Sequence, residues 1–432
     1  MGHWTLAAKR GPNYPSSMKP MTSKPLGETM RTRHHAGIRL SAALLAAAFL
    51  AAGAARSFAI EGEGSFDGGP DDVGPAFNAL TEGLAPLDLS QLSNLSAGAL
   101  SSALPGAALA ASAAPAPIES KPVRRWAAPP PVQSGEYTLL TEPFSGRAAV
   151  LNLINNAQTS INLTIYEIED PPTISALINA AQRGVTVRVI YNLYSFRGRD
   201  PNAKYIAQLQ DAGVQTQAAS RQFEVTHEKA ITADGKSAVI MTFNLVPNYF
   251  SGTRDFGIVT ANAAEVAEID SVFNADWNGE PADPTLPELV WSPENSREKI
   301  LSVINGATKT LEVYGEETED PESMQALINA AQRGVAVRFI TAVLSDRGGQ
   351  DGNAAERQVL NDNGVQAKAL NNPYIHAKVV LADYGTPSAQ VFLGSENFSK
   401  TSLDKNRELG IILNNPPLMD SIESTFNADW AQ

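Results

Sequence analysis

From Glu136 onward the chain alternates between two spacings of apolar residues. Apolar positions at i, i+3 and i+4 across Ala148–Ala157 predict a helix, and Ile161-Asn162-Leu163-Thr164-Ile165 predicts a strand. Thr173–Arg183 reads as a second helix, stopped by Gly184 in the left-handed conformation that favours glycine, and Val185–Tyr191 reads as the next strand. Ala203–Asp211 is helical and closes at Gly213. Strands follow around Lys229–Thr232, Ala238–Met241 and Phe256–Thr260, then a helix running to Trp277. Strands that alternate with helices predict an α/β fold: a mixed sheet flanked by helices on both faces.

The same pattern then recurs. Ala176–Val185 reads ALINAAQRGV, and Ala326–Val335 repeats all ten letters. Leu151, Ile154, Ala157 and Asp170 match Leu301, Ile304, Ala307 and Asp320 at the same offset. Phe273-Asn274-Ala275-Asp276-Trp277 returns as Phe426-Asn427-Ala428-Asp429-Trp430. Identity held in constant register over such lengths is duplication. A unit of about 140 residues is too long for a solenoid repeat and long enough for its own core. Two lobes are expected, 136–280 and 281–432.

The region 60–135 is different in texture. Ala, Pro, Gly, Ser and Leu dominate it, with Pro115-Ala116-Pro117 and Pro129-Pro130-Pro131, and it has few residues able to build a core. A flexible linker is expected there. Before it, Leu40–Ala55 is an uncharged apolar run of 16 residues, preceded by Arg31, Arg33 and Arg39 and followed by Ser57-Phe58-Ala59. A basic region, a short apolar core and a small-x-small exit predict a signal peptide over 1–59, with Met30 as the expected true start. A bilayer-spanning helix needs roughly 20 residues. The expected location is outside the cytoplasm, secreted or periplasmic.

Charge sharpens the picture. The formal net charge is −13, but residues 1–59 hold eight Lys or Arg against one Glu. The remainder, 60–432, therefore carries 25 basic and 45 acidic residues, a net of −20. A body this acidic repels polyphosphate backbones, which counts against nucleic acid as a partner. Cysteine is absent, so disulfides and thiolate metal sites are excluded.

Histidine is scarce, and after residue 59 only His227 and His376 remain. Each opens the same pattern: His227-x-Lys229 with Asp234 five residues on, and His376-x-Lys378 with Asp383 five residues on. On a strand, positions i and i+2 share a face, so imidazole and ammonium would address one volume. That pairing suits a group with negative oxygens and an atom open to attack. Asn244 and Asn397 follow, the second inside Gly394-Ser395-Glu396-Asn397; farther on, Arg254-Asp255 and Arg407-Glu408 place carboxylates at equivalent points. The acidic runs Glu167-Ile168-Glu169-Asp170 and Glu316-Glu317-Thr318-Glu319-Asp320 read as solvated loops, and the two F-N-A-D-W endings as packing elements.

A doubled H-x-K-x4-D followed by G-S-x-N resembles the signature of the phospholipase D superfamily, across about residues 136–432. The resemblance implies two lobes about a pseudo-twofold axis with both motifs in one active site, hence a monomer carrying both half-sites. It implies a phosphodiesterase acting on phospholipid at a membrane surface, by hydrolysis or by transfer to an acceptor alcohol. One histidine would form a phosphohistidine while the other serves as acid and then base; family precedent points to His227 as the nucleophile. Lys229, Lys378, Asn244 and Asn397 would donate to the non-bridging oxygens. Asp255 and Glu408 would orient the imidazoles, within a lobe or across the boundary. Asp234 and Asp383 would organise their own strand ends, with Thr242 and Ser395 as the motif hydroxyls. No cofactor and no metal is expected. Met241 stands where the family has glycine, which leaves a degenerate phosphate- or lipid-binding homologue as one alternative. A secreted metal-independent nuclease is the other.

Overall fold

The computed structural model describes residues 131–432 apart from 195–197, 199 and 346–348, all within one compact unit, Ile118–Gln432. The expected signal peptide and nearly all of the expected linker lie outside the described residues.

Lobe 1 contains β1 (Val132–Ser134), β2 (Tyr137–Glu142), α1 (Gly146–Asn156), β3 (Ser160–Ile165), α2 (Pro171–Gln182), β4 (Thr186–Tyr191), α3 (Ala203–Asp211), β5 (Gln215–Ala218), β6 (Ala230–Ala233), β7 (Ser237–Met241), β8 (Thr253–Thr260) and α4 (Ala263–Asn278). Its own strands run β1-β2-β8-β7-β6-β3-β4-β5, parallel where β4 pairs with β3 and with β5 and antiparallel elsewhere along that order. The sheet thus begins at Val132, a few residues inside the stretch expected to be linker.

Lobe 2 repeats the plan with β9 (Leu289–Ser292), α5 (Ser296–Gly306), β10 (Thr310–Gly315), α6 (Pro321–Gln332), β11 (Ala336–Thr341), α7 (Ala354–Asp362), β12 (Gln366–Ala369), β13 (Tyr374–Ile375), β14 (Val379–Ala382), β15 (Gln390–Gly394), α8 (Lys400–Asp404), β16 (Glu408–Leu413) and α9 (Pro416–Trp430). Its order, β9-β16-β15-β14-β10-β11-β12, matches β2-β8-β7-β6-β3-β4-β5 strand for strand. The fold is α/β, two duplicated lobes of mixed sheet and helices.

The duplicated letters explain the duplicated elements. Asp170 and Asp320 cap α2 and α6 by accepting the Thr173 and Ser323 backbone N–H groups, with proline in the first turn. Gly184 and Gly334 follow those helices at φ of +91° and +93°, which a side chain would oppose.

Three apolar clusters form the interior. One lies on the helical side of the lobe 1 sheet, around Ile154, Leu163, Leu177 and Val239. Its counterpart in lobe 2 gathers around Ile304, Val313, Leu327 and Val380. The third is shared by both lobes, joining Phe256, Ile258 and Ile269 to Trp291, Tyr314, Leu409 and Phe426. Because side chains alternate along a strand, each sheet feeds one face outward and the other into the common core. The lobes are therefore welded.

Candidate active site

Both His-x-Lys segments lie just before their strands, not on them as the pattern predicts. His227, Glu228 and Lys229 precede β6; His376, Ala377 and Lys378 lie between β13 and β14. The reason is an exchange between lobes. The His227 and Glu228 N–H groups donate to the Arg407 carbonyl at 2.8 and 2.9 Å, and those of His376 and Ala377 donate to the Arg254 carbonyl at 3.2 and 2.9 Å. Strand β13 likewise pairs in parallel with β8 of the other lobe. Each histidine is carried by one lobe and pinned by the other.

The side chains cross the same boundary. His227 Nδ1 lies 2.8 Å from Glu408 Oε2, and His376 Nδ1 lies 2.8 Å from Asp255 Oδ1. Both carboxylates are fully buried and held from behind. Asp255 accepts from Thr242 Oγ1 and Thr253 Oγ1, each at 2.6 Å; Glu408 accepts from Ser402 Oγ at 2.6 Å and Asn406 Nδ2 at 2.9 Å. An ionised carboxylate accepts only, so an imidazole meeting it does so with Nδ1–H, which leaves Nε2 outside that contact. Ser395 Oγ accepts the Leu409 N–H at 3.2 Å and so braces the strand that carries Glu408.

Arg254 and Arg407, next to these carboxylates, direct their guanidinium groups to other aspartates. Arg254 Nε and Nη2 grip Asp429 at 2.6 and 3.0 Å, and Arg407 Nη2 donates to Asp276 at 3.0 Å. The aspartates of the F-N-A-D-W endings thus form buried ion pairs across the lobes. The aromatics of those endings pack as the sequence predicts, Phe273 on Trp277 and Phe426 on Trp430, each pair 5.8 Å apart. The repeated aspartate was the available signal, since a charge inside a packing motif needs a buried partner.

Lys229 and Lys378 are fully buried, and each donates to the carbonyl of its own histidine, at 2.6 and 2.5 Å. Burial pushes the Lys229 ammonium down to about 7. His227 is pulled down to about 4, first by burial and then by the nearby lysines, against the attraction of Glu408. At neutral pH it is therefore an uncharged base with a lone pair on Nε2.

The second half-site differs. His376 Nε2 faces Glu316 Oε2 at 3.5 Å, and Glu316 also takes a bond from Lys378 Nζ at 2.7 Å and one from the Tyr374 hydroxyl at 3.1 Å. His376 thus has a carboxylate at each ring nitrogen. Burial would raise the Glu316 carboxyl, but His376, Lys378 and His227 outweigh it and hold the group at about 2. The sequence reading put Glu316 in a solvated loop, and the structure corrects this. Its place directly after β10, at the carboxyl end of a parallel strand, is where α/β sheets bind ligands, and that was the available signal.

An aromatic ring flanks each imidazole. Tyr166 stands edge-on to His227 at 4.9 Å and Tyr249 to His376 at 4.6 Å. Asn244 hydrogen-bonds the Tyr249 side chain and accepts the Glu167 N–H at 3.3 Å. Asn397 is buried, with Oδ1 unpartnered and its N–H donating to Ser402 Oγ at 2.8 Å.

Asp234 and Asp383 are remote from this chemistry, at the far ends of β6 and β14. Each adopts a left-handed conformation, φ +56° and +52°, and accepts a row of N–H groups from the turn before β3 or β10. Met241 adjoins the site through its backbone, its N–H donating to the Lys229 carbonyl at 2.9 Å, while its side chain packs into the outer core of lobe 1. Its counterpart Gly394 is crowded by Glu396 Oε2 and by the Gly410 backbone, which would lie 2.2 and 2.5 Å from an added Cβ. Glycine there makes room for a buried carboxyl and for the close approach of the neighbouring strand. In lobe 1 Phe243 stands in place of Glu396.

A family model described as cardiolipin synthase, PLD-like domain, matches residues 150–277 and again 300–430. The polyphosphate kinase of Xylella fastidiosa strain 9a5c is 26% identical over 311 residues, 66% of this chain and 43% of that protein. The polyphosphate kinase of Escherichia coli K12 is 24% identical over 316 residues, 67% and 44% of the two chains. The chain thus spans less than half the length of these relatives. Among solved structures, polyphosphate kinase from Porphyromonas gingivalis aligns with a TM-score of 0.53 at 19% identity, over 68% of this chain and 50% of that one. Phosphatidylserine synthase from Haemophilus influenzae Rd KW20 aligns at 0.52 and 12% identity, over 70% and 87%. These last two likenesses are of fold.

Proposed function

The chain belongs to the phospholipase D-like family, and on that premise we propose that it is a phosphodiesterase that cleaves phospholipids through a phosphohistidine. The observation that carries this reading is the pair of imidazole–carboxylate contacts, His227–Glu408 and His376–Asp255, each spanning the two lobes at 2.8 Å.

The two half-sites divide the labour. Uncharged His227 attacks phosphorus through Nε2 while the bond to the leaving oxygen breaks. His376, with carboxylates at both nitrogens, is arranged to start as the proton donor and gives that proton to the departing alkoxide. Water, or an acceptor alcohol, then attacks the phosphohistidine and returns a proton to His376, releasing a phosphomonoester or a new diester. Splitting one hard displacement into two is the gain from covalent capture. Lys229 and Asn244 stabilise the non-bridging oxygens as charge grows on them.

Phospholipid is favoured over nucleic acid by the net charge of −20 over residues 60–432, and the signal-like segment favours action outside the cytoplasm. Purified protein given defined phospholipid vesicles should release head group, and His227→Ala and His376→Ala should each abolish the release. Full activity in either variant contradicts the reading. A plasmid-nicking assay tests a nuclease, and labelled polyphosphate with a nucleoside diphosphate tests phosphoryl transfer, the reading favoured by the relatives named polyphosphate kinase.

A further inference from the structure

The repeat register sets Tyr166 against Glu316, each directly after the equivalent strand and 150 positions apart. The two half-sites are therefore unequal where a phosphoryl group must enter. In lobe 1 the Lys229 ammonium lies 5.5 Å from the centre of the Tyr166 ring, a neutral partner. In lobe 2 the Lys378 ammonium is bonded by a carboxylate, and that carboxylate also faces Nε2 of His376, the atom assigned to the leaving group. The Lys378 side chain is wholly buried, whereas that of Glu316 is 15% exposed, so Glu316 is the outer member of the pair. An anion approaching Lys378 from solvent meets Glu316 first.

We propose that Glu316 is a charge-discriminating residue, which competes with incoming anions for Lys378 and His376 and so admits singly charged phosphodiesters while rejecting phosphomonoesters and polyphosphate. The proposal rests on the phosphodiesterase reading of the cleft. Any phosphate ligand must displace the carboxylate from its ion pair, and the remaining repulsion grows with the charge the ligand brings. A diester brings one negative charge near neutral pH and a monoester brings nearly two. The same repulsion expels the product, because hydrolysis turns a monoanion into a species close to a dianion. Burial and the neighbouring Glu316 and Glu319 also push Glu317 up to about 7, as expected beside a fixed negative charge.

Calorimetric titration of the full chain with inorganic phosphate at pH 8 tests the idea without requiring turnover. Glu316→Gln, and Glu316→Tyr in imitation of lobe 1, should bind phosphate at least tenfold more tightly than wild type. Glu319→Gln, which removes an exposed carboxylate of the same loop, should leave binding unchanged. Unchanged affinity in both Glu316 variants, or an equal gain in Glu319→Gln, overturns the proposal. Should both Glu316 variants fail to fold, the wild type decides: the monoester product must inhibit at least tenfold more weakly than a non-hydrolysable diester, and equal or tighter inhibition overturns it. A wild type that hydrolyses no diester sinks the functional reading, while the phosphate titration still judges Glu316.

Discussion

Replacing Glu408 by glutamine alters one atom and should disable the first histidine. The carboxylate accepts on both oxygens: Oε1 takes Ser402 Oγ–H and Asn406 Nδ2–H, and Oε2 takes the imidazole Nδ1–H. A carboxamide has one accepting end. Turned toward Ser402 and Asn406, it presents N–H to His227 Nδ1 and drives the ring proton to Nε2, removing the lone pair that attacks phosphorus. Turned the other way, its NH2 can be met only if Asn406 flips to present Oδ1, and the Ser402 hydroxyl still loses its acceptor inside a buried cluster, at a cost of about 1–3 kcal/mol. The first arrangement should therefore prevail. By analogy with the wrong-tautomer variant of a serine protease triad, kcat should fall about 10⁴-fold, or about 5.5 kcal/mol of barrier. Head-group release under saturating substrate measures it, and a melting transition within a few degrees of wild type shows that the variant is folded. A variant within tenfold of wild type would refute the tautomer argument.

Three further outcomes follow from the geometry. Activity should rise with pH as His227 loses its proton near 4 and fall as the Lys229 ammonium is lost near 7, giving an acidic optimum in a pH–rate profile of the unliganded enzyme; an optimum above pH 8 contradicts those assignments. Removing one partner of the Arg254–Asp429 pair, as in Asp429→Asn, should cost about 3–5 kcal/mol in chemical denaturation, and replacing both by apolar residues should recover part of the loss. Burial holds the Glu228 carboxyl up at about 8, above its unfolded value, so its contribution is complete below about pH 4 and fades as pH rises through 8. Glu228→Gln should accordingly stabilise the protein by about 3–4 kcal/mol at pH 8 relative to pH 5, and equal stability at both would count against it.

Much of the fold was legible because the chain states it twice. The ten shared letters at Ala176 and Ala326 fixed the register, and the helix-stopping glycines fell where the pattern put them. His227, His376 and the carboxylates Asp255 and Glu408 stood out because repetition isolates them from composition. What stayed hidden arises between the copies. The His-x-Lys segments were read as strand because their alternation is strand-like, yet their N–H groups pair with a carbonyl of the opposite lobe. Asp276 and Asp429 were read only as members of packing endings, since their arginine partners lie more than 130 residues away. Glu316 was missed for a different reason: it departs from the repeat, and a search for matched positions passes over the one that differs.

The central claim is that His227 of one lobe captures phosphorus while His376 of the other serves the leaving group. Acid-stable adducts are not formed by phosphohistidine, so the direct measurement is an alkaline quench of the protein with labelled diester, followed by peptide mapping. Label should be found on the peptide containing His227, and none on that containing His376. Label on His376 alone, or on neither peptide while substrate is being turned over, would contradict the account.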